Sequence, residues 1–460
     1  MSTNVMGLLN ITGQPYSDSF IEDYQFHSYQ TYISGNIGFN DEIRIPIQDL
    51  DAYTAPGDSY LYIEGKLLQE NGNKPVKLEF INNGVSFLFR ELRYELNGIV
   101  VDSVRNVGLT STLKNYLSYN ENESVVLQNA GWFPKKIIPT DLKTNPNDTK
   151  IISDDDGNFN VSIPLKFLAG FFEDFQKIIV NMKQELVLIR SSNDLDCIYS
   201  NDLNELPKIT ITKLFWKVPH VSVSMVDQLR LTKLLNKNVE LPIRFRSWEL
   251  IEYPALPHST NHTWHVKTST KVETPRHVII AFQENVKGKV NSDMSKFTNC
   301  DRKNVRVFLN SERYPYSDLF LSFTSNKFAA LYDMFANFQE SYYPYKIKQP
   351  IFTPTEFNTI APIAHIDCSH QKGTGPPLLP RRVRRAPGPK MGPEVIKGAH
   401  GRAPGPTMGP RVTVGSKVTI LNLTYSSGSV GTPVMYCRAP RPQNGAQYHR
   451  GAPRSLRRPK

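Results

Sequence analysis

Cysteine is scarce in this sequence of 460 residues. The four cysteines, at positions 197, 300, 368 and 437, are widely spaced and include no Cys-x-x-Cys pair. A disulfide framework or a zinc site normally shows closely spaced pairs of this kind. The sequence therefore predicts reduced thiols and a protein with an intracellular history.

Long apolar runs and a secretory leader are also missing. No stretch approaches the roughly 20 apolar residues that a membrane-spanning helix needs. The opening residues, MSTNVMGLLNITG, show neither a charged leader nor an apolar run of signal-peptide length. We expect a soluble protein that is neither secreted nor membrane-spanning.

The familiar motifs of catalysis do not occur. The sequence has no Gly-rich phosphate loop, nucleophile elbow, His-Glu-x-x-His zinc motif or Rossmann fingerprint. This absence favours a structural role over an enzymatic one, although a catalytic triad assembled in space would leave no such motif. We therefore expect no enzyme activity, no cofactor and no small-molecule substrate.

Two segments nevertheless deserve weighing as metal sites. His258, His262 and His265 lie in HSTNHTWH, a spacing that could gather a metal ion, but no cysteine or acid lies close by. Histidines in an exposed loop are the alternative that we favour. The run Asp154–Asn158 resembles a calcium loop only superficially, because it lacks the alternating acids and the distal glutamate, and a hairpin turn is expected instead.

Acidic residues are almost absent from the last fifth of the chain. Residues 371–460 hold 17 of the 54 basic residues and one acid, Glu394, so residues 1–370 carry 37 basic and 42 acidic residues. The net charge of +11 therefore belongs to the tail. The basic pI is no argument that the body of the protein binds nucleic acid.

The tail is rich in proline, glycine and arginine, and RAPGPKMGP is repeated as RAPGPTMGP. Such a segment has too little apolar mass to offset the entropy of ordering, so we expect it to be largely disordered. Residues 411–425 could form strands, but nothing around them is expected to complete a domain. The arginine pairs could bind packaged nucleic acid, or the tail could have no selected function. The candidate arginines are Arg381, Arg382, Arg384, Arg385, Arg457 and Arg458.

The first 370 residues are dominated by short strand patterns. Residues 42–47, 60–67, 85–96 and 208–216 alternate apolar and polar side chains, and Asn97-Gly98 is a strong hairpin signal. Helical spacing is limited to short stretches such as 106–119, where Thr110 and Ser111 are possible caps, and 327–338. Many short strands without β-α-β alternation predict an all-β protein with two antiparallel sandwiches.

The expected organisation has four parts. Residues 1–37 form an N-terminal arm, 38–218 a first sandwich, 219–370 a second sandwich and 371–460 the basic tail. The boundary between the sandwiches is placed near Pro219.

Several long strings resemble one family. FNDEIRIPI, FLFRELRYELNGIVVDSVRNVGLTSTLKNYLSY, KITITKLFWKVPHV and NVRVFLNSERYPYSDLFL are similar to the double jelly-roll proteins of invertebrate genomes. Those proteins resemble the major capsid proteins of Polinton/Maverick-type elements and adintoviruses, in the adenovirus-hexon lineage. The resemblance extends over residues 38–370.

The resemblance implies two jelly rolls per chain and a homotrimer whose six barrels tile a viral shell. It implies a virion or host nuclear or cytoplasmic location, and an origin in an integrated viral or transposon element. Family members close the second jelly roll with further strands after the segment that corresponds to 366–369, where this chain changes to its tail. The second jelly roll is therefore expected to be incomplete, which raises the hypothesis of a defective copy. The alternative is a host-retained jelly-roll binding module that builds no shell.

Overall fold

The structure is a computed structural model. It describes residues 21–32, 36–48, 53–136, 152–180, 182–236, 241–253, 264–265, 275–284, 286–309, 312–343, 346–369, 394–395 and 417–430.

Two antiparallel sheets form the first sandwich. One has the strand order β1-β11-β4-β8, with β3 also paired to β11, and the other has the order β2-β9-β6-β7. Tyr94 of β6 meets Trp216 of β11 edge to face across the sandwich, with ring centroids 6.2 Å apart. The strands are β1 (Ile21–Gln30), β2 (Glu42–Ile47), β3 (Tyr53–Thr54), β4 (Tyr60–Gln69), β5 (Glu79–Phe80), β6 (Phe89–Leu96), β7 (Ile99–Arg105), β8 (Asn158–Pro164), β9 (Gln184–Arg190), β10 (Ile198–Tyr199) and β11 (Pro207–Val223).

Alternation of side chains explains these strands. In β4 every second residue from Leu61 to Leu67 is buried, while Tyr60, Tyr62 and Glu64 are partly exposed on the opposite face. The predicted hairpin is confirmed, since Leu96 pairs with Ile99 and the two turn residues between them have positive φ. Pro46 is tolerated because β2 is an edge strand.

One predicted strand is partly wrong. Residues 85–96 were expected to form one strand, but Gly84–Leu88 is a 3-10 helix and the strand begins at Phe89. Asn83 is left-handed at the start of this turn, and its side-chain amide donates to Ser111 and Thr112 of a distant helix. These tertiary hydrogen bonds hold the turn, and a pattern of alternation cannot register them.

Seven short helices connect the strands in the described part of the chain. They are α1 (Val107–Ser118), α2 (Glu121–Leu127), α3 (Gly170–Asp174), α4 (Met225–Asn236), α5 (Ala329–Ala336), α6 (Phe338–Tyr342) and α7 (Pro354–Ile360). The expected caps of α1 are wrong: α1 begins after Asn106, and Thr110 and Ser111 lie within it. Their hydroxyls donate to the carbonyls of Arg105 and Val107. All twelve residues of α1 are buried, so the helix is held by packing.

The second sandwich also contains two four-stranded sheets. Their orders are β12-β19-β14-β17 and β13-β18-β15-β16. The strands are β12 (Leu241–Tyr253), β13 (Trp264–His265), β14 (His277–Gln283), β15 (Val307–Leu309), β16 (Glu312–Tyr314), β17 (Ala364–Asp367), β18 (Glu394–Val395) and β19 (Lys417–Val430). One buried hydrophobic cluster includes residues of both sandwiches, so the two share a continuous core.

Two strands of the second sandwich come from the tail. β19 lies between β12 and β14, with Leu421 paired to both Leu250 and Ile279. The expectation that this segment completes nothing is therefore corrected. The sequence argument looked for apolar mass within the tail, whereas the strand finds its neighbours more than 130 residues earlier. Strand β18 pairs in the same way with β13 and β15.

One expected boundary falls inside a strand, and the expected N-terminal arm itself contains a strand. Pro219 lies within β11, which continues to Val223 and remains paired to β1 and β3 of the first sandwich. Residues 21–30 of the expected N-terminal arm form β1, an edge strand of the same sheet.

Candidate assembly surfaces and the joint between the sandwiches

Of the three histidines weighed as metal ligands, one lies within the described residues. His258 and His262 lie outside the described residues, and His265 is known only as a backbone position in β13. Among the described residues no group of three or more His, Cys, Asp or Glu side chains could hold a metal ion. Asp154 closes the expected turn, accepting hydrogen bonds from the backbone N–H groups of Asp156 and Asn158.

The arginines considered for nucleic-acid binding are all in the tail. Arg381, Arg382, Arg384, Arg385, Arg457 and Arg458 lie outside the described residues. No helix in the described part is long and apolar enough to cross a membrane.

Charged and aromatic side chains from both sandwiches meet in a buried cluster that we term the joint. Sequence patterns gave no indication of it, because its members come from four separate elements. The joint comprises Lys114 of α1, Glu173 and Asp174 of α3, Arg246 and Trp248 of β12, and Tyr342 and Tyr343 at the end of α6.

Lys114 and Glu173 form the first ion pair of the joint. The Lys114 side chain is fully buried, and its Nζ lies 4.4 Å from the centre of the Trp248 ring. Tyr343 donates its hydroxyl to Glu173 Oε1 at 2.6 Å, and Tyr342 donates to Oε2 at 3.0 Å. Both carboxylate oxygens of a buried acid are therefore hydrogen-bonded, as a buried charge requires.

Burial and charge oppose each other in this pair. Burial lowers the pKa of Lys114, and the Glu173 charge raises it only in part. Burial alone would raise the pKa of Glu173, but the charges of Lys114 and Arg246 hold that pKa below its ordinary value. Glu173 is thus ionised at neutral pH, with its charge balanced from both sandwiches.

Arg246 and Asp174 form the second ion pair. Arg246 Nε donates to Asp174 Oδ2 at 2.9 Å, and Nη2 contacts Oδ1 in a two-bond arrangement. The guanidinium carbon lies 3.6 Å from the centre of the Tyr342 ring. Although burial acts to lower it, the pKa of Arg246 is raised by hydrogen bonding to Asp174 and by the nearby acids. Asp174 belongs to the first sandwich and Arg246 to the second, so this pair fixes one to the other.

Gly170 permits the close approach of α3 to β12. A Cβ placed on Gly170 would lie 1.7 Å from the carbonyl oxygen of Arg246 and 3.2 Å from Trp248 Nε1. Its φ is not positive, so steric contact alone selects glycine here. Asp102, which is buried in β7, accepts the Phe171 N–H at 2.9 Å and holds the start of α3.

A second group of hydrogen bonds extends the joint along α1 and α2. Lys346 Nζ contacts both oxygens of Glu123 at 2.7 and 2.8 Å and donates to the Ser118 carbonyl. Gln339 of α6 donates to carbonyls at the end of α1, and Tyr116 donates to the Ser295 carbonyl at 3.0 Å. These hydrogen bonds add to the packing of one sandwich against the other.

Aromatic side chains occupy the outer face of the first sheet, where polar residues are usual. Phe26 of β1 contacts Tyr60 of β4 with ring centroids 5.4 Å apart, and Tyr62 stacks on Phe215 at 6.3 Å. Lys217 lies over Tyr62 at 5.2 Å. Phe26 is 47% exposed, and such a face is typical of a surface that is covered by a partner.

Two further apolar groups project from the molecule. In α4, Met225, Val226 and Leu229 are all more than half exposed. On a loop of the second sandwich, Tyr316 is 93% and Phe320 is 79% exposed. Asp318 holds that loop, because its carboxylate accepts from Arg306, Arg313 and Asn304. Exposed aromatic side chains on a loop held in this way are favourable contact residues, because they lose little conformational entropy on binding.

These features define a class of protein. It has two antiparallel sandwiches that are held together by a buried polar cluster, and it carries exposed apolar groups on its outer faces. The chain belongs to the double jelly roll-like domain family, whose pattern matches residues 77–375. A search of curated proteins finds no match.

Solved viral structures share the fold. A chain of the cryo-EM structure of the Sputnik virophage is 10% identical with a TM-score of 0.56, over 92% of this chain and 89% of that one. The Faustovirus major capsid protein is 8% identical with a TM-score of 0.53, over 93% and 94%. PBCV-1 VP54, as fitted into a Sputnik reconstruction, is 10% identical with a TM-score of 0.52, over 91% and 97%. At these identities the likeness establishes the fold.

Proposed function

We propose that the protein is a capsid-type structural protein. Three copies associate so that six sandwiches form a pseudo-hexagonal unit, and these units tile a shell. The proposal includes an origin in an integrated viral or transposon element, as the resemblance to Polinton/Maverick capsid proteins implies. The likeness in fold to the Faustovirus major capsid protein supports this function.

The joint is the observation that carries the proposal. A shell subunit must present its outer faces at a constant angle, because small angular errors accumulate over a closed lattice. Here the buried Arg246–Asp174 ion pair joins the two sandwiches directly. Tyr342 and Tyr343 of the second sandwich also donate to Glu173, which is paired with Lys114 within the first. Such pairs favour one arrangement, since any other leaves buried charges without partners.

The outer aromatic face supports self-association. Phe26, Tyr60, Tyr62 and Phe215 present apolar area on one side of the first sheet, and burial of such area is the main favourable term in association. We place this face at the contact between copies.

The decisive experiment is size-exclusion chromatography with light scattering on the full chain. We expect a particle of three 52.3 kDa chains, and negative-stain images with six-lobed outlines. Tyr24 extends this face, since its exposed ring meets that of Phe26 edge to face at 5.9 Å. The variant Tyr24→Ser/Phe26→Ser should shift the particle toward monomer. Val76→Ser, at a residue that is 72% exposed but away from this face, is the matched control and should remain trimeric.

A folded protein that stays monomeric at every concentration tested would contradict the proposal. That outcome would favour a binding module that retains the jelly-roll fold without building a shell. Trimers that are equally unaffected by both variants would keep the function but remove the aromatic face from the contact.

A further inference from the structure

One loop of the second sandwich, residues 315–320, projects two aromatic rings into solvent. Tyr316 and Phe320 are both largely exposed, whereas Leu319 packs against the core and Leu321 is buried. Phe320 has a φ of 47°, a left-handed conformation that bulky residues rarely adopt. The backbone is therefore strained at a residue whose ring is turned outward, and strain of this kind is typical of functional sites.

Hydrogen bonds to the rest of the second sandwich hold the backbone of this loop. The Leu319 N–H donates to Asn304 Oδ1 at 3.2 Å, and the Leu321 N–H donates to the Lys303 carbonyl at 2.8 Å. The carboxylate of Asp318 accepts from three further side chains. Because the loop is ordered before any partner binds, little of the contact energy of its rings is lost to ordering.

A pocket of about 220 Å³ lies beside the outer aromatic face of the first sandwich. Its wall is formed by side chains from three segments, within residues 57–60, 126–130 and 162–166. Tyr60 belongs both to this wall and to the outer aromatic face, where its ring lies 5.4 Å from that of Phe26. The pocket and the Phe26–Tyr60 surface are therefore adjacent sites.

The wall of the pocket suits a tyrosine ring. Val126 and Pro164 supply apolar surface, and Asn129 and Ser162 supply groups that can form a hydrogen bond with a phenol hydroxyl. A tyrosine that becomes buried normally has such a partner. Pockets for drug-sized ligands measure roughly 300–1,000 Å³, so this smaller pocket matches a single side chain better than a larger ligand.

The order of the sandwiches in the proposed unit decides which surfaces meet. Each chain contributes two joined sandwiches, so in a closed ring of three chains the first sandwich of one copy meets the second sandwich of the next. Whatever covers the outer aromatic face in this ring therefore comes from a second sandwich. From β12 onward, the large apolar side chains that are exposed in the described part of the chain are Tyr316, Phe320 and Ile347. Two of these three lie on the loop 315–320.

We propose that the loop 315–320 of one copy docks on the first sandwich of a second copy, with Tyr316 in the pocket and Phe320 against Phe26. This inference rests on the proposed trimer and names the two surfaces that close it. Two aromatic side chains bury roughly 300–500 Å². That is a large part of the roughly 800 Å² that each partner contributes to a stable interface. Threefold symmetry repeats the contact, so every loop and every pocket in the ring is occupied.

The first test places the photoreactive residue p-benzoylphenylalanine at Tyr316 of the full chain. Trimers assembled from unlabelled and isotope-labelled chains are irradiated, and mass spectrometry maps the crosslinks that join the two kinds of chain. We expect these crosslinks to end within residues 57–60, 126–130 or 162–166. The same probe at the exposed Val76 of the first sandwich is the control and should give no crosslink between chains.

The second test exchanges charges across the contact. Val126 and Tyr316 are both exposed in the single chain, so Val126→Glu and Tyr316→Arg should not disturb its folding. Each should raise the concentration at which half of the trimer dissociates by about tenfold or more. Val126→Glu/Tyr316→Arg places opposite charges together and should recover most of this loss. Val125→Glu changes a neighbouring exposed residue outside the pocket wall, and as the matched control it should leave the trimer unchanged.

The possible results separate this contact from the proposed function. Trimers whose crosslinks from position 316 end elsewhere would overturn the contact and leave the trimer standing. Equal effects of Val126→Glu and Val125→Glu, or a double variant that dissociates as readily as the single ones, would do the same. A folded chain that stays monomeric at every concentration would overturn both the contact and the proposed function.

Discussion

His277 and His365 lie against each other in the core of the second sandwich, with His277 Nδ1 3.1 Å from His365 Nε2. They belong to the paired strands β14 and β17 and are both buried. His365 Nδ1 lies 3.1 Å from the Met334 carbonyl, which can only accept. The neutral pair therefore has one arrangement, in which His365 donates to Met334 and His277 donates to His365.

This pair predicts a loss of stability in acid. Burial lowers the pKa of His277 to about 3 and that of His365 to about 4, against about 6.5 in an unfolded chain. Below pH 6.5 both histidines of the unfolded chain bind a proton. In the folded protein they stay neutral down to about pH 4. The unfolding free energy should fall by about 1.4 kcal/mol per histidine per pH unit across this window.

Nearby charges change how steeply the unfolding free energy depends on pH. Asp367 favours protonation of the histidines, whereas Arg246 and Arg276 oppose protonation of His277. Burial raises the pKa of Asp102 to about 6, so the folded protein gains a proton there and recovers part of the loss. Urea unfolding between pH 7 and 4.5 tests this: His277→Gln/His365→Gln should show a flatter, or even reversed, dependence on pH. An equally steep decline in the variant would show that other groups cause it.

The ion pairs of the joint predict that the unfolding free energy depends strongly on keeping both charges of a pair. Lys114→Met leaves the Glu173 carboxylate buried without its main counter-charge and should cost about 3–5 kcal/mol of unfolding free energy. Lys114→Met/Glu173→Gln removes both charges and should cost clearly less than the sum of the two single changes. Denaturant midpoints of the four proteins give this coupling directly.

A surface pair serves as the control for that cycle. Lys74 and Asp156 are 2.5 Å apart, with side chains 73% and 55% exposed. Lys74→Met should change the unfolding free energy by no more than about 1 kcal/mol. Additive effects at Lys114 and Glu173 would mean that their contact is no stronger than this exposed one.

Gly170→Ala should disrupt the packing of α3 on β12. The added methyl group would overlap the Arg246 carbonyl, and relieving that overlap requires the two elements to separate. We expect a loss of about 3 kcal/mol or more. Gly98→Ala is the comparison, since Gly98 has φ of 77° but open space around it, and should lose only about 1 kcal/mol. Equal losses would show that the contact relaxes easily.

The pairing of β19 predicts that two truncated chains differ clearly in solubility. A chain that ends at Ser369 lacks β19 and leaves the facing edges of β12 and β14 without their neighbour. Unpaired edges of this kind promote aggregation. A chain that ends at Val430 retains β19 and should match the full chain in soluble yield and light scattering. If both truncations are equally soluble, β19 contributes nothing to the second sandwich.

Local patterns sufficed for much of the fold. Alternation located β2, β4 and the first half of β11, and Asn97-Gly98 located a hairpin, because side-chain period and positive φ are properties of a few neighbouring residues. The charge division between body and tail also follows from the sequence alone. The strings that resemble the double jelly-roll family lie largely within residues 77–375, where the family match confirms that resemblance.

Only the tertiary structure revealed the joint, the histidine pair and the place of β19. Lys114 meets residues more than 50 and 200 positions away, and His277 meets His365 from another strand. Such contacts depend on how elements pack, and no short-range pattern encodes them. The sequence by itself determined the class of fold and the acidic body. The packing decided which polar residues are buried together, because the energy of a buried charge depends on what surrounds it in space.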